Sequence, residues 1–161
     1  MNTQADPTAN QRFTTQQSWN PERIRAMAIY CSDGRWGEAF DEYCHDGLKL
    51  PRYDRFAVPG GPLLLTMRDA SLISAYDAAR DQIHFLVEGH ELSRLVLITH
   101  WGCAFYHRLL HAEPADCLAT QLADLRTAAR TLRGWFAGIE VTAHAAYNHG
   151  GAVWFETVDV G

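Results

Sequence analysis

Tyr30-Cys31-Ser32-Asp33-Gly34-Arg35 decides how this chain is read. Ahead of it run Ile24-Arg25-Ala26-Met27-Ala28-Ile29, whose apolar side chains suit a central strand. The strand therefore finishes in a thiol, a carboxylate and a guanidinium. Side chains alternate faces along an extended chain, so Cys31, Asp33 and Arg35 are expected on one side. Grouping a thiol with two charges there is costly unless they act together. The use that fits is a metal thiolate with an acid–base pair beside it.

A second stretch has the same character. Leu95-Val96-Leu97-Ile98-Thr99 is apolar and β-branched, and it ends in His100-Trp101-Gly102-Cys103. Cys31, His100 and Cys103 make a Cys2His set that leaves the fourth position of a tetrahedron open, the pattern of catalytic zinc. Taken singly, each of the two cysteines and the histidine is more often a buried core residue, and it is the joint pattern of two strand-end motifs that favours a metal. A structural zinc is the intermediate case, with Asp33 as a fourth ligand, but such sites favour close Cys-x-x-Cys pairs. The same missing pair argues against a redox dithiol.

With both motifs in view, the sequence resembles the β-class carbonic anhydrases. Their Cys-x-Asp-x-Arg strand end is matched by Cys31 to Arg35, and their later His-x-x-Cys strand end by His100 to Cys103. The glycine-bearing loop of that family is answered by Val58-Pro59-Gly60-Gly61-Pro62, and its closing hairpin by His144 through Phe155. The resemblance covers roughly residues 22 to 158. It implies Zn2+ held by Cys31, His100 and Cys103, and hydration of carbon dioxide by a zinc-bound hydroxide. It implies a pairing of Asp33 with Arg35 that works as a switch: paired, water reaches zinc; broken, the Asp33 carboxylate closes the metal. Gly60, Gly61, Trp101 and Gly102 are expected to line the pocket. A homodimer or larger homo-oligomer is implied as well.

The chain also departs from that pattern. Gly34 stands where the family usually has Ser, and Ala104 where it usually has Gly. The loop from Val58 to Pro62 lacks the polar side chains typical of relatives. The family's arm supplies a glutamine near the pocket, and Gln4, Gln11, Gln16 and Gln17 remain open candidates. These changes spare the metal ligands and alter their surroundings. A hydrolase of carbonyl sulfide or carbon disulfide on the same scaffold is therefore one alternative, and a non-catalytic zinc-binding regulatory protein is another.

Composition sets the outer limits. The chain has 161 residues, 47% hydrophobic and 20% charged, which suits one globular domain. Its formal net charge of -5 argues against nucleic acid as a partner. No apolar run reaches membrane-spanning length, and Met1 to Asn20 is polar without a signal-peptide core, so a cytoplasmic location is expected. Four cysteines then read as reduced thiols. Residues 1–20 are read as an arm or tail and 21–161 as a single α/β domain.

Along the chain, the patterns alternate between strand and helix. A helix is expected over Gly37 to Leu48, a strand over Arg55 to Val58, and the longest helix over Met67 to Glu88. A short helix follows from Phe105 to His111. Pro114 opens another long helix, with Leu118, Leu122, Leu125, Ala129, Leu132 and Phe136 as its buried stripe. A strand from Ile139 to Ala146 and a hairpin partner from Ala152 to Val158 complete the series. This order predicts three layers around a mostly parallel sheet with one antiparallel edge strand. Ligands of such sheets sit outside the carboxyl ends of the strands, where both motifs fall.

Overall fold

Apolar runs that are hydrophobic on both faces form the centre of the sheet. Strand β1 (Ala26–Cys31) is buried at every position, and β3 (Arg94–His100) at all but its first. That double-sided burial is what a parallel strand between two helical layers requires. The computed structural model describes residues 14–161, so Gln4 and Gln11 and most of the 1–20 segment lie outside the described residues. Gln16 and Gln17 are exposed.

The five strands lie in the order β2-β1-β3-β4-β5. β2 (Asp54–Val58), β1, β3 and β4 (Glu140–His149) pair in parallel, and β5 (Ala152–Thr157) closes antiparallel on β4. The β4–β5 turn is Gly150-Gly151, with φ of 57° and 83°. Two consecutive positive φ values are what a tight two-residue hairpin demands. β4 runs to His149, so the turn is shorter than the four residues Asn148 to Gly151 suggest.

Period-2 alternation divides the sheet between two cores. Met27, Ile29, Leu95 and Leu97 pack with residues of α2 (Ile73–His90) and α4 (Pro114–Trp135). Ala28, Tyr30, Val96 and Ile98 face the other way, against Trp36, which precedes α1 (Gly37–Glu42), Phe40 of α1, and Cys44 of the π turn that continues it to Gly47. The remaining helix, α3 (Ala104–Leu110), follows β3 directly. The layers are as expected, and helices lie on both faces.

Helix boundaries differ from the periodic reading in two places. α2 starts at Ile73, because Asp69 caps the preceding 3-10 turn by accepting the Ser71 backbone N–H at 2.8 Å. It is 18 residues long and α4 is 22, so α4 is the longest helix. The buried face of α4 is Cys117, Gln121, Asp124, Leu125, Ala128, Ala129 and Leu132, with Leu118 and Leu122 only half-buried. The stripe is rotated because two polar residues, Gln121 and Asp124, are recruited into the core.

Candidate metal centre

β1 and β3 are neighbours, and the chain leaves them in opposite directions, β1 toward β2 and β3 toward β4. Their carboxyl ends therefore flank the crevice at the topological switch point, where side chains are not covered by a crossover. Cys31 ends β1 with its side chain on the α2/α4 side. His100 ends β3 on the opposite side, its ring 4.9 Å from that of Trp36 and 6.2 Å from that of Phe40. Cys103 precedes the first turn of α3. The three residues thus reach the strand ends from both faces of the sheet. Their ligand atoms all lie within 4.8 Å of one another, and the two sulfurs are 3.8 Å apart.

The protonation pattern suits a metal. His100 Nδ1 lies 2.9 Å from the Trp101 carbonyl, so Nδ1–H donates there and Nε2 carries the lone pair. This carbonyl fixes the ring's tautomer and orientation. Nε2 itself is buried and has no hydrogen-bond partner among the described residues. Leaving such an atom unsatisfied costs about 1–3 kcal/mol, which a cation at that point would remove. The Cys31 thiol is pushed down, first by the hydrogen bond it shares with the Cys103 thiol, then, against the effect of burial, by His100 and the backbone N–H groups of Gly60 and Asp33. Cys103 is pushed up by that same bond and by burial, while the N–H groups of Tyr106 and Phe105 oppose the rise. One proton thus holds two sulfurs together, in a place where a divalent cation would hold both as thiolates. The donor set fits a soft-ligand metal such as zinc.

Asp33 and Arg35 do meet, but not by strand alternation. The strand ends at Cys31 and the backbone turns, with the Trp36 N–H donating to the Asp33 carbonyl at 3.0 Å. Within the turn, Arg35 Nε donates to Asp33 Oδ1 at 2.9 Å and its terminal nitrogen to Oδ2 at 2.5 Å. The Arg35 backbone N–H adds a bond to Oδ1 at 3.1 Å. Arg35 beside it holds the Asp33 carboxyl at about 2. Asp33 is mostly covered, with 17% of its side chain exposed, whereas Arg35 is 74% exposed.

Two clefts border these residues. One of about 340 Å³ is lined by Cys31, Ser32, Asp33, Pro59, Ala104 and Phe105, together with Arg108. The other, of about 290 Å³, lies among Arg35, Trp36, Trp101, Gly102, Asn148 and Val153. Trp101 and Gly102 therefore border the Arg35 side. Gly60 and Gly61 are buried and line neither cleft, contrary to the expectation that they border the pocket. Gly61, at φ 53°, approaches β1 so closely that a Cβ would sit 2.7 Å from the Tyr30 carbonyl carbon and 2.8 Å from the Cys31 nitrogen. No side chain larger than hydrogen fits there.

Two supports escaped the sequence reading. Gln121 on α4 donates to the His100 carbonyl at 2.9 Å and to the Thr99 hydroxyl at 3.2 Å. Asp124, one turn further, accepts from Arg68 through both oxygens and from the Tyr106 hydroxyl at 3.1 Å. Polar residues within a leucine-bearing helix read as a solvent face, so the pattern carried no signal for either. His111 lies past the end of α3 with φ 49°, so His107 and His111 do not share a helix face. Cys44 and Cys117 are both buried free thiols.

Solved structures of β-carbonic anhydrases have the same fold. One from the fungal pathogen Aspergillus fumigatus is 14% identical over 87% of this chain and 77% of its own, with a TM-score of 0.55. One of two tetrameric enzymes from Sordaria macrospora is 14% identical over 83% of this chain and 81% of its own, with a TM-score of 0.54. A carbonic anhydrase from Streptococcus mutans is 16% identical over 89% of this chain and 87% of its own, with a TM-score of 0.52. No curated protein matches the sequence. Residues 22–150, most of the chain and both motifs, match the family model described as "Putative carbonic anhydrase". The chain is thus a divergent member of the β-carbonic anhydrase family.

Proposed function

We propose that the protein hydrates carbon dioxide to bicarbonate with a zinc ion held by Cys31, His100 and Cys103. The observation that carries this reading is a shared opening: Asp33 and the ligand Cys31 line the same cleft, while Arg35 clamps the carboxylate from outside. Zinc, when bound, supplies the Lewis acidity that makes a nucleophile of water near neutral pH. Asp33, kept ionised by Arg35, accepts a hydrogen bond at the cleft and orients the proton of that nucleophile. Pro59, Ala104 and Phe105 give the cleft an apolar wall suited to a small uncharged substrate. That wall also supports a second reading, hydrolysis of carbonyl sulfide or carbon disulfide at the same centre.

The four cysteines are free and buried, which supports a reducing compartment such as the cytoplasm. No helix among the described residues is long and apolar enough to cross a membrane. All five strands join one sheet, which supports residues 21–161 as a single domain. The exposed edge strand β5, with Val153 and Trp154 each 43% exposed, supports a homo-oligomer, as does the tetrameric state of the Sordaria relatives.

Stopped-flow proton release with carbon dioxide, run beside sulfide release from carbonyl sulfide and metal analysis of the same sample, tests these readings. Expected are one zinc per chain and turnover of carbon dioxide. Asp33→Asn should keep the metal and lose about 100-fold or more in turnover. Sulfide release alone selects the second reading, and stoichiometric zinc without either activity selects a non-catalytic zinc protein. An Asp33→Asn enzyme of undiminished rate removes the role given to that carboxylate.

A further inference from the structure

We propose that Arg108 is an anion-holding residue of the metal cleft, positioned to bind the carboxylate-like face of bicarbonate. The inference rests on the metal reading above and adds a residue that neither sequence motif contains. Arg108 sits in the last turn of α3 and lines the 340 Å³ cleft together with Cys31 and Asp33. It makes no hydrogen bond or ion pair among the described residues, whereas Arg35 is committed to Asp33 through three side-chain contacts and is the weaker candidate. The chain carries a net charge of -5, so a free guanidinium at this mouth stands against the overall field.

Charge balance shows what such a residue does. Two thiolates offset a divalent ion, and Asp33 is offset by Arg35. Arg108 then leaves the cleft with one positive charge in excess. An uncharged substrate gains little from that charge. A monoanion gains a charge-assisted bond, and the planar fork of a guanidinium matches two oxygens of a planar oxyanion. The cleft therefore recognises the product side of the reaction, or another small oxyanion or carboxylate. A plainer role also exists: an arginine in the last turn of a helix interacts favourably with the helix dipole. That role would act on stability and not on anion affinity, so the two can be separated.

The test uses the full-length protein loaded with Co2+ in place of zinc, whose visible spectrum reports anions arriving at the metal. Thiocyanate is the first probe and bicarbonate the second. Arg108→Ala is expected to raise the Kd for both about tenfold at unchanged cobalt stoichiometry. Arg108→Lys should recover part of the affinity, and Arg108→Gln should behave like alanine while preserving side-chain bulk. The difference between wild type and Arg108→Ala should shrink as inert salt is added. Unchanged Kd values in Arg108→Ala and Arg108→Gln, with full cobalt loading, overturn the proposal and leave the metal reading intact. A lowered Tm with unchanged Kd does the same and assigns the residue to the helix end. Failure of the wild-type protein to take up cobalt overturns the metal reading and this proposal with it.

Discussion

His100 is held at three different atoms, and each contact has a separate consequence. Its Nδ1 bond to the Trp101 carbonyl sets the tautomer, the Trp36 ring sets the plane, and Gln121 holds its backbone carbonyl. Gln121 is 1% exposed and its Oε1 has no partner, so its place in the core is explained by what its amide nitrogen does. Replacing Gln121 with Leu should weaken zinc binding about tenfold, as loss of an outer hydrogen bond to a ligand does. Competition with a chelating dye measures it, and unchanged affinity would reduce Gln121 to packing. Gly61 is the second residue on which the centre depends. Gly61→Ala combines an unfavourable φ with an overlap against rigid backbone and should cost on the order of 3 kcal/mol in denaturant unfolding. Zinc uptake should fall with it, because the displaced backbone belongs to Cys31. The three ligands were legible in the sequence because Cys and His rarely end two apolar strands without purpose. Asp33 and Arg35 were legible as a pair but for a different geometry: alternation stops at Cys31, and a turn brings them together.

At the level of elements, α3 and α4 act as a bracket under β3. Asp124 of α4 has a side chain 2% exposed and is bound to Arg68 and to Tyr106 of α3. Tyr106 is buried, and its backbone N–H helps hold Cys103. The two ends of this ion pair are unequally covered, since the Arg68 side chain is 36% exposed. Removing Arg68 strands a carboxylate in the core, whereas removing Asp124 leaves a guanidinium that water can reach. Arg68→Met should therefore destabilise by about 3 kcal/mol or more, and Asp124→Asn by about 1–2 kcal/mol. Urea unfolding of the two variants checks the order, and the reverse order would mean that Asp124 is held mainly by Tyr106. The bracket was hidden from the periodic reading of α4. A leucine stripe through Leu118, Leu122 and Leu125 is a sound prior for a helix on an apolar sheet. The real face is turned toward Gln121 and Asp124 because strand ends and ion pairs need polar partners there.

For the whole molecule, stability should depend on pH through a histidine that is not one of the metal ligands. His144 lies in the middle of β4, 3% exposed, between the hydroxyls of Tyr43 at 2.9 Å and Thr142 at 3.2 Å, with Thr157 at 3.5 Å. Burial first, then the charge of Arg94, pushes its pKa down to about 4. In the unfolded chain the same ring titrates near about 6.5. Between these values the unfolded state binds the extra proton, so stability rises with pH across that window. The contribution is complete above about pH 6.5 and is lost as the pH falls toward 4. It amounts to roughly 3 kcal/mol at the far end if the ring stays as buried as it is here. His144→Gln keeps a group that can bond Tyr43 but has nothing to titrate. Urea midpoints of the two proteins should converge at low pH from a wild-type advantage at pH 7. Cys31 titrates in both, so the difference between the curves isolates the histidine. The sheet order places β4 between β3 and the edge strand, so a charged ring there acts on the pairing that holds the His100 strand in the sheet. Parallel curves for wild type and His144→Gln from pH 7 to 4 would mean that water reaches the ring and that β4 is looser than its burial indicates.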